Sequence, residues 1–336
     1  MIRKIFRLVL GALLLALSHP ATAQQPGKIF RIGILDPSTA SGSAVVVDAF
    51  RQELTKLGWI EGKNFTIEYR FAENKGPERV AELVADLVRL KADLIVVSGI
   101  GPALAAKKAT TTIPIVITNT TDPVAVGLVA SLARPGGNVT GFSGLATELN
   151  TKRLEILKDA MPKLARVGVL GTGIATSPNR EASASSIQVK ELRLAAAALK
   201  LKLEEIETQL DPKGLESAFQ TAKQKQVDAI MTFATRSFFA ERKRIVELAV
   251  KYRLPAIYFT REFVDEGGLM SYGVDNVDLF RRAAAYVDKI LKGAKPADLP
   301  VQQATKFEFI INLKAAKQIG LTIPVRVLER ANQVIK

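Results

Sequence analysis

One order of short apolar runs is written twice in this chain. "FRIGIL" (Phe30 to Leu35) returns as "ARVGVL" (Ala165 to Leu170), and "ADLIVVSG" (Ala92 to Gly99) as "VDAIMTFAT" (Val227 to Thr235). "IPIVIT" (Ile113 to Thr118) returns as "LPAIYFT" (Leu254 to Thr260). Arg31 to Arg166 and Asp93 to Asp228 are both offsets of 135, and Pro114 to Pro255 is 141. Helical periods lie between the runs. Val80, Leu83, Val84, Leu87, Val88 and Leu90 make one apolar stripe, and Phe50, Leu54 and Leu57 another that Gly58 stops. Short continuous apolar strands alternating with such helices indicate parallel sheets covered on both faces. The expected fold class is therefore α/β: two similar doubly wound, Rossmann-like lobes.

The chain has 336 residues, which suits two domains rather than one core. Its first 23 residues read as a secretory signal peptide, with Arg3, Lys4 and Arg7 before an apolar Leu8 to Leu17 and a small-residue Ala21-Thr22-Ala23 site. An apolar run of that length is too short to span a bilayer, which needs roughly 20 residues. Near the other end, "DNVDLFRRAAAYVDKILKG" reads as a further helix capped by Asp278, with Leu279, Ala283, Val287 and Ile290 as its stripe and Gly293 as its stop. The Pro-rich "AKPADLP" follows. The expected division is residues 28–143 plus 275–300 for the first lobe and 144–274 plus 301–336 for the second. The chain then crosses near Ser143, Asp275 and Val301, and several crossings make a hinge over a cleft.

Composition removes several chemistries. There is no cysteine, hence no disulfide, thiolate metal site or lipid-modified N-terminal cysteine. The single histidine, His19, leaves with the signal peptide, so the mature chain has no imidazole for base catalysis or zinc. Formal net charge is +14, three units of it in the leader. The bases are interleaved with acids, as in "KRLEILKDAMPKLAR" and "AERKRIVELAVKYR". Solvated helix faces explain this better than a nucleic-acid surface, although the sign favours anionic ligands.

Ligands of open α/β sheets bind beyond the carboxyl ends of the strands. Ser98-Gly99 ends a central strand, and Pro102 lies in the first turn of the next helix. Free amides there, with the Ser98 hydroxyl, suit a carboxylate or phosphate. The bland reading is a glycine needed only for close packing. A dinucleotide fingerprint is not met, because Leu104 stands where the third glycine belongs. At the neighbouring tip Asp122, before Pro123, either caps a helix or accepts from a ligand ammonium. Asp36 and Ser38 follow the first strand. The second half offers Thr172, then Thr235 and Arg236, then Arg261, with Arg236 read either as a carboxylate clamp or as a surface residue. Phe142, Tyr272 and Asp275 lie near the crossings, and the two aromatics are candidates for a wall.

"DPVAVGLVASLARPGGNVTGFS", "RLPAIYFTREFVDEGGLMSYG" and the long C-terminal stretch from "DLFRRAAAYVDKILKG" to "IGLTIP" closely resemble the ABC transporter substrate-binding protein family of tryptophan and tyrosine uptake type. The resemblance implies a type I periplasmic binding fold. It also implies a monomeric periplasmic protein that hands its ligand to an ABC permease and its ATPase, with no cofactor and no catalysis. It implicates Ser98, Gly99, Thr121 and Asp122 in the first lobe and Thr235 in the second as ligand-binding residues. The expected ligand is an amino acid or related organic anion. The rival readings are a periplasmic ligand sensor for a membrane receptor kinase and a secreted carboxylate-dependent enzyme.

Overall fold

The computed structural model describes residues 28–172 and 184–336; the expected signal peptide lies outside them. The chain first lays down β1 (Phe30–Asp36), α1 (Ala40–Lys56), β2 (Phe65–Phe71), α2 (Pro77–Arg89), β3 (Leu94–Val97), α3 (Ile100–Ala109), β4 (Ile115–Thr120) and β5 (Val139–Ser143). It repeats the pattern with α4 (Ala146–Ala160), β6 (Arg166–Gly171), α5 (Ala184–Ala198), β7 (Lys202–Glu207), α6 (Pro212–Gln224), β8 (Ala229–Thr232), α7 (Arg236–Ala240), α8 (Arg242–Lys251), β9 (Ala256–Tyr258), α9 (Glu262–Asp265) and β10 (Met270–Val274). Then come α10 (Asn276–Leu291), β11 (Gln302–Gln303), β12 (Phe307–Asn312), α11 (Leu313–Ile319), α12 (Val325–Leu328) and β13 (Gln333–Ile335).

The strands form two sheets of matching order. The first is β11-β5-β4-β3-β1-β2, and the second is β13-β12-β10-β9-β8-β6-β7. Read from the other edge, each runs second strand, first, third, fourth, fifth, and the repeated runs of the sequence occupy equivalent places. The copies diverge at their sixth strand: β11 runs parallel to β5, whereas β12 runs antiparallel to β10. Central strands are buried on both faces, as a parallel sheet under two helix layers requires.

The helical stripes fill the core. Val80, Leu83, Val84 and Leu87 of α2 are buried, and so are Leu279, Ala283, Val287 and Ile290 of α10. Gly58 and Gly293 take positive φ where their helices stop. One cap differs from expectation. Asp275, not Asp278, caps α10, accepting from the Asp278 amide at 2.9 Å, because the helix already begins at Asn276.

Two helices change lobes. α4 follows β5 of the first sheet but packs on α5 and β10 of the second, while α10 follows β10 but packs on α1 and β4 of the first. The third crossing lies later than Val301. β11 pairs with Phe142 and Ser143, and the Ala304 amide donates to the Ser143 carbonyl, so the chain leaves the first lobe only between Ala304 and Phe307. Each lobe also carries one glycine that its neighbour strand demands. A Cβ on Gly141 of β5, at φ +132°, would meet the Ile117 carbonyl oxygen at 2.0 Å. On Gly273 of β10 it would meet the Phe259 carbonyl oxygen at 1.7 Å.

Candidate functional site

The carboxyl ends of both sheets face one cavity of about 250 Å³. From the first lobe it is lined by Pro37, Ser98, Gly99 to Pro102, Asn119, Thr120 and Thr121, and from α10 by Asn276 and Phe280. The second lobe contributes Arg153, Thr172, Thr235, Arg236, Phe239 and Phe259. The lobes touch beside it. A Cβ on Gly42 of α1 would come within 2.8 Å of the Ala240 Cβ on α7.

Of the residues singled out in the sequence, the structure brings Ser98, Gly99, Thr121, Thr172, Thr235 and Arg236 to the cavity. Ser98 is buried, with its hydroxyl 2.6 Å from that of Thr118. The Gly99 amide is already taken by the Asn119 carbonyl at 3.1 Å, leaving those of Ile100 and Gly101 as the open donors of the first turn of α3. Gly99 itself sits at φ 87°, which glycine adopts at little cost. Thr235 caps α7, accepting from the Phe238 amide at 3.3 Å.

The remaining candidates lie elsewhere. Asp122 is exposed and outside the lining; its Oδ1 accepts from the Ala125 amide at 3.0 Å, closing a turn rather than a helix after Pro123. Phe142 is fully buried against Tyr286, with ring centroids 4.9 Å apart, and so belongs to the core. Tyr272 packs edge-on against Phe309 and is outside the lining, while its carbonyl accepts from Arg153. Asp275 is spent on capping α10, and Arg261 is exposed beside Asp265. Asp36 and Ser38 stand one layer behind the lining. The Asp36 Oδ1 accepts from the Ser38 amide at 2.9 Å and its hydroxyl at 2.5 Å, and Oδ2 accepts from Arg236 Nε at 2.8 Å.

That last bond joins the lobes. Asp36 is buried at 1% exposure and Arg236 nearly so at 9%, and the Arg236 guanidinium also lies 4.3 Å from the Phe239 ring centroid. Its Nη2 nevertheless has no partner, and neither has the buried hydroxyl of Thr120. Arg153 was not anticipated. It lies in the "KRLEILK" stretch that reads as a solvated face, yet is 1% exposed. Its Nε donates to the Tyr272 carbonyl at 2.6 Å and its Nη1 to Asn150 Oδ1. Burial pulls its pKa down to about 9. The signal was its register: Leu149, Arg153, Ile156, Leu157 and Ala160 form the buried stripe of α4. Asn276 was also unforeseen; it is buried and accepts from Asn119 Nδ2 at 2.9 Å. The apolar walls are Phe239, Phe259 and Phe280.

Such a cavity can hold a small solute by hydrogen bonds from both lobes and by apolar contact with Phe239, Phe259 and Phe280. Among the described residues no group of His, Cys, Asp or Glu is arranged to hold a metal ion. None of the described helices is long and apolar enough to cross a membrane.

Comparison with known proteins places these features in a family. Residues 31–335 match the family described as ABC transporter substrate binding protein, and the chain belongs to it. A tyrosine-binding protein of Clostridioides difficile (strain R20291) is 29% identical over 272 residues, covering 81% of this chain and 75% of the relative. A solved ABC domain from Streptococcus pneumonia in complex with L-Trp is 28% identical, with a TM-score of 0.77 over 90% of this chain and 100% of that one. The ligand-free, open form of a substrate binding protein with adhesive properties from Clostridium difficile is 26% identical, with a TM-score of 0.62 over 92% and 99%.

Proposed function

We propose that this chain is the periplasmic solute-binding component of an ABC importer. It captures a small carboxylate-bearing ligand between its lobes, delivers it to a permease driven by an ATPase, and catalyses nothing. The observation that carries the reading is a cleft in which both lobes supply polar groups, some of them unsatisfied. Buried donors without partners are costly and therefore uncommon in native interiors. Arg236, the first turn of α3 and Thr120 all line one space, Arg236 Nη2 and the Thr120 hydroxyl lack partners, and a carboxylate bound there would offer acceptors to these groups.

The lobes have the geometry for capture. Three crossings join them, and a ligand held by both lobes favours the closed arrangement by the contacts that the open one lacks. The higher TM-score to the L-Trp complex than to the open, ligand-free relative, at similar identity, supports a closed arrangement here. The relatives' ligands suggest a solute of amino-acid size with an aromatic or apolar body, which suits the three phenylalanines. The leader, residues 1–23, would direct export, with the mature chain starting near Gln24 as a monomer.

The test is native mass spectrometry of the protein from periplasmic extracts, to identify the small molecule that travels with it. Small-angle scattering with and without that molecule then reads closure. A ligand-saturated particle no more compact than the empty one would remove the capture reading.

A further inference from the structure

The two charged side chains that line the cavity are both guanidinium groups, and their settings differ. Arg236 is matched by Asp36 at 2.8 Å. Glu262 stands near it, half-buried, its carboxyl pushed up by desolvation and bonded by the Thr260 hydroxyl. Arg153 has only neutral acceptors, the Tyr272 carbonyl and the Asn150 side chain, and among the described residues no carboxylate lies within ion-pair distance. An isolated charge in an apolar setting is strongly disfavoured until a counter-charge joins it. Arg153 therefore lines the cleft as a cation with no carboxylate beside it among the described residues.

We infer that the ligand is a net anion, a carboxylate on an apolar or aromatic body without a free ammonium, and that Arg153 selects it. The inference rests on the reading of the cleft as a capture site and names the class it captures. A carboxylate beside Arg153 completes the missing ion pair. A zwitterion would bring its own ammonium into the same small cavity as the unpaired Arg153 guanidinium, where like charges repel. Asp122, the side chain that would have received that ammonium, faces solvent instead. Thr120 and Arg236, each with one unpartnered polar atom, line the same cavity, as do Phe239, Phe259 and Phe280, which suit an apolar ligand body.

The experiment uses two matched series on the mature protein, read by isothermal titration. One is L-tyrosine, p-hydroxyphenylpropionate, which lacks the amine, and tyramine, which lacks the carboxylate. The other is L-leucine, isocaproate and isoamylamine. In the series that fits, the amine-free acid is expected to bind at least about tenfold tighter than the amino acid, and the amine not at all. Arg153→Met should weaken the acid by about a hundredfold or more and bring acid and amino acid toward equal affinity, with the melting temperature of the empty protein unchanged or raised. Arg153→Lys keeps the charge and should keep the preference, which guards against a Met variant that fails to fold. An amino acid that binds more tightly than its amine-free acid, an amine that binds comparably, or undiminished acid binding in Arg153→Met would overturn the inference while leaving capture intact. Binding of no member of either series would overturn both.

Discussion

The Asp36–Arg236 pair is the sharpest place to perturb the cleft, because it joins the lobes while contributing to neither sheet core. Asp36→Asn keeps an oxygen for the Ser38 amide but turns a donor toward Arg236 Nε. With the lobes still closed, breaking a buried pair from one side costs about 3–5 kcal/mol. The Phe239 ring beneath the guanidinium returns some of that, about 1 kcal/mol, leaving a penalty of roughly 2–4 kcal/mol. The chain can avoid the penalty by parting its lobes, which returns Arg236 to water. The closed-to-open ratio should then fall by a factor of about 30 to 1,000, at about 1.4 kcal/mol per tenfold. Apparent ligand affinity falls with the population competent to close. At a ligand concentration that just saturates and closes the wild type, small-angle scattering should show a larger radius for the variant, with little change in melting temperature. The double variant Asp36→Asn/Arg236→Gln removes both charges and should recover part of the closure. A variant with the wild-type radius and affinity, or one that melts early without opening, would refute the reasoning.

Three further outcomes are expected. Thr120→Val deletes a buried hydroxyl that has no partner, so thermal melting of the empty protein should rise by the equivalent of about 1 kcal/mol while titration shows weaker ligand binding. Asp122→Ala should lower stability by about 1 kcal/mol through its lost turn bond, and calorimetry should find ligand affinity unchanged. Gly141→Ala sets a Cβ against the Ile117 backbone at positive φ, and chemical denaturation should show a loss of at least about 3 kcal/mol or no soluble protein.

The repeated architecture was legible because a buried parallel strand has little choice of composition. Runs such as "LIVV" and "AIMT" are apolar on both faces, and the helices between them need an apolar stripe. What duplicated runs do not encode is where the copies part company. The direction of β12 depends on a connection through Ala304 to Lys306 whose residues carry no directional signal. β11 is only two residues long, so its pairing with β5 left the third crossing misplaced. Asp278 and Asp275 are equally good caps on paper, and only the position of the first helical residue, Asn276, decides between them.

The site was half legible for a related reason. Strand tips are fixed by the fold, so Ser98, Thr121, Thr172, Thr235 and Arg236 could be placed at the cleft from the alternation of strands and helices alone. Arg153 and Asn276 sit instead on α4 and α10, the two helices that leave one lobe to pack on the other. A helix in that position turns its buried stripe toward the cleft as well as toward its core, so a charged residue on the stripe has an aqueous or liganded end to face. The sequence rule that a charge marks the solvent side holds for helices with one buried face. On a helix that crosses between lobes, an arginine in register with Leu149, Ile156 and Ala160 can face the cleft, and Arg153 of α4 lines the cavity in this chain. The same logic explains the core fate of Phe142. It precedes the crossing by one residue, still inside β5, where a side chain at a central strand position has nowhere to go but the helix layer.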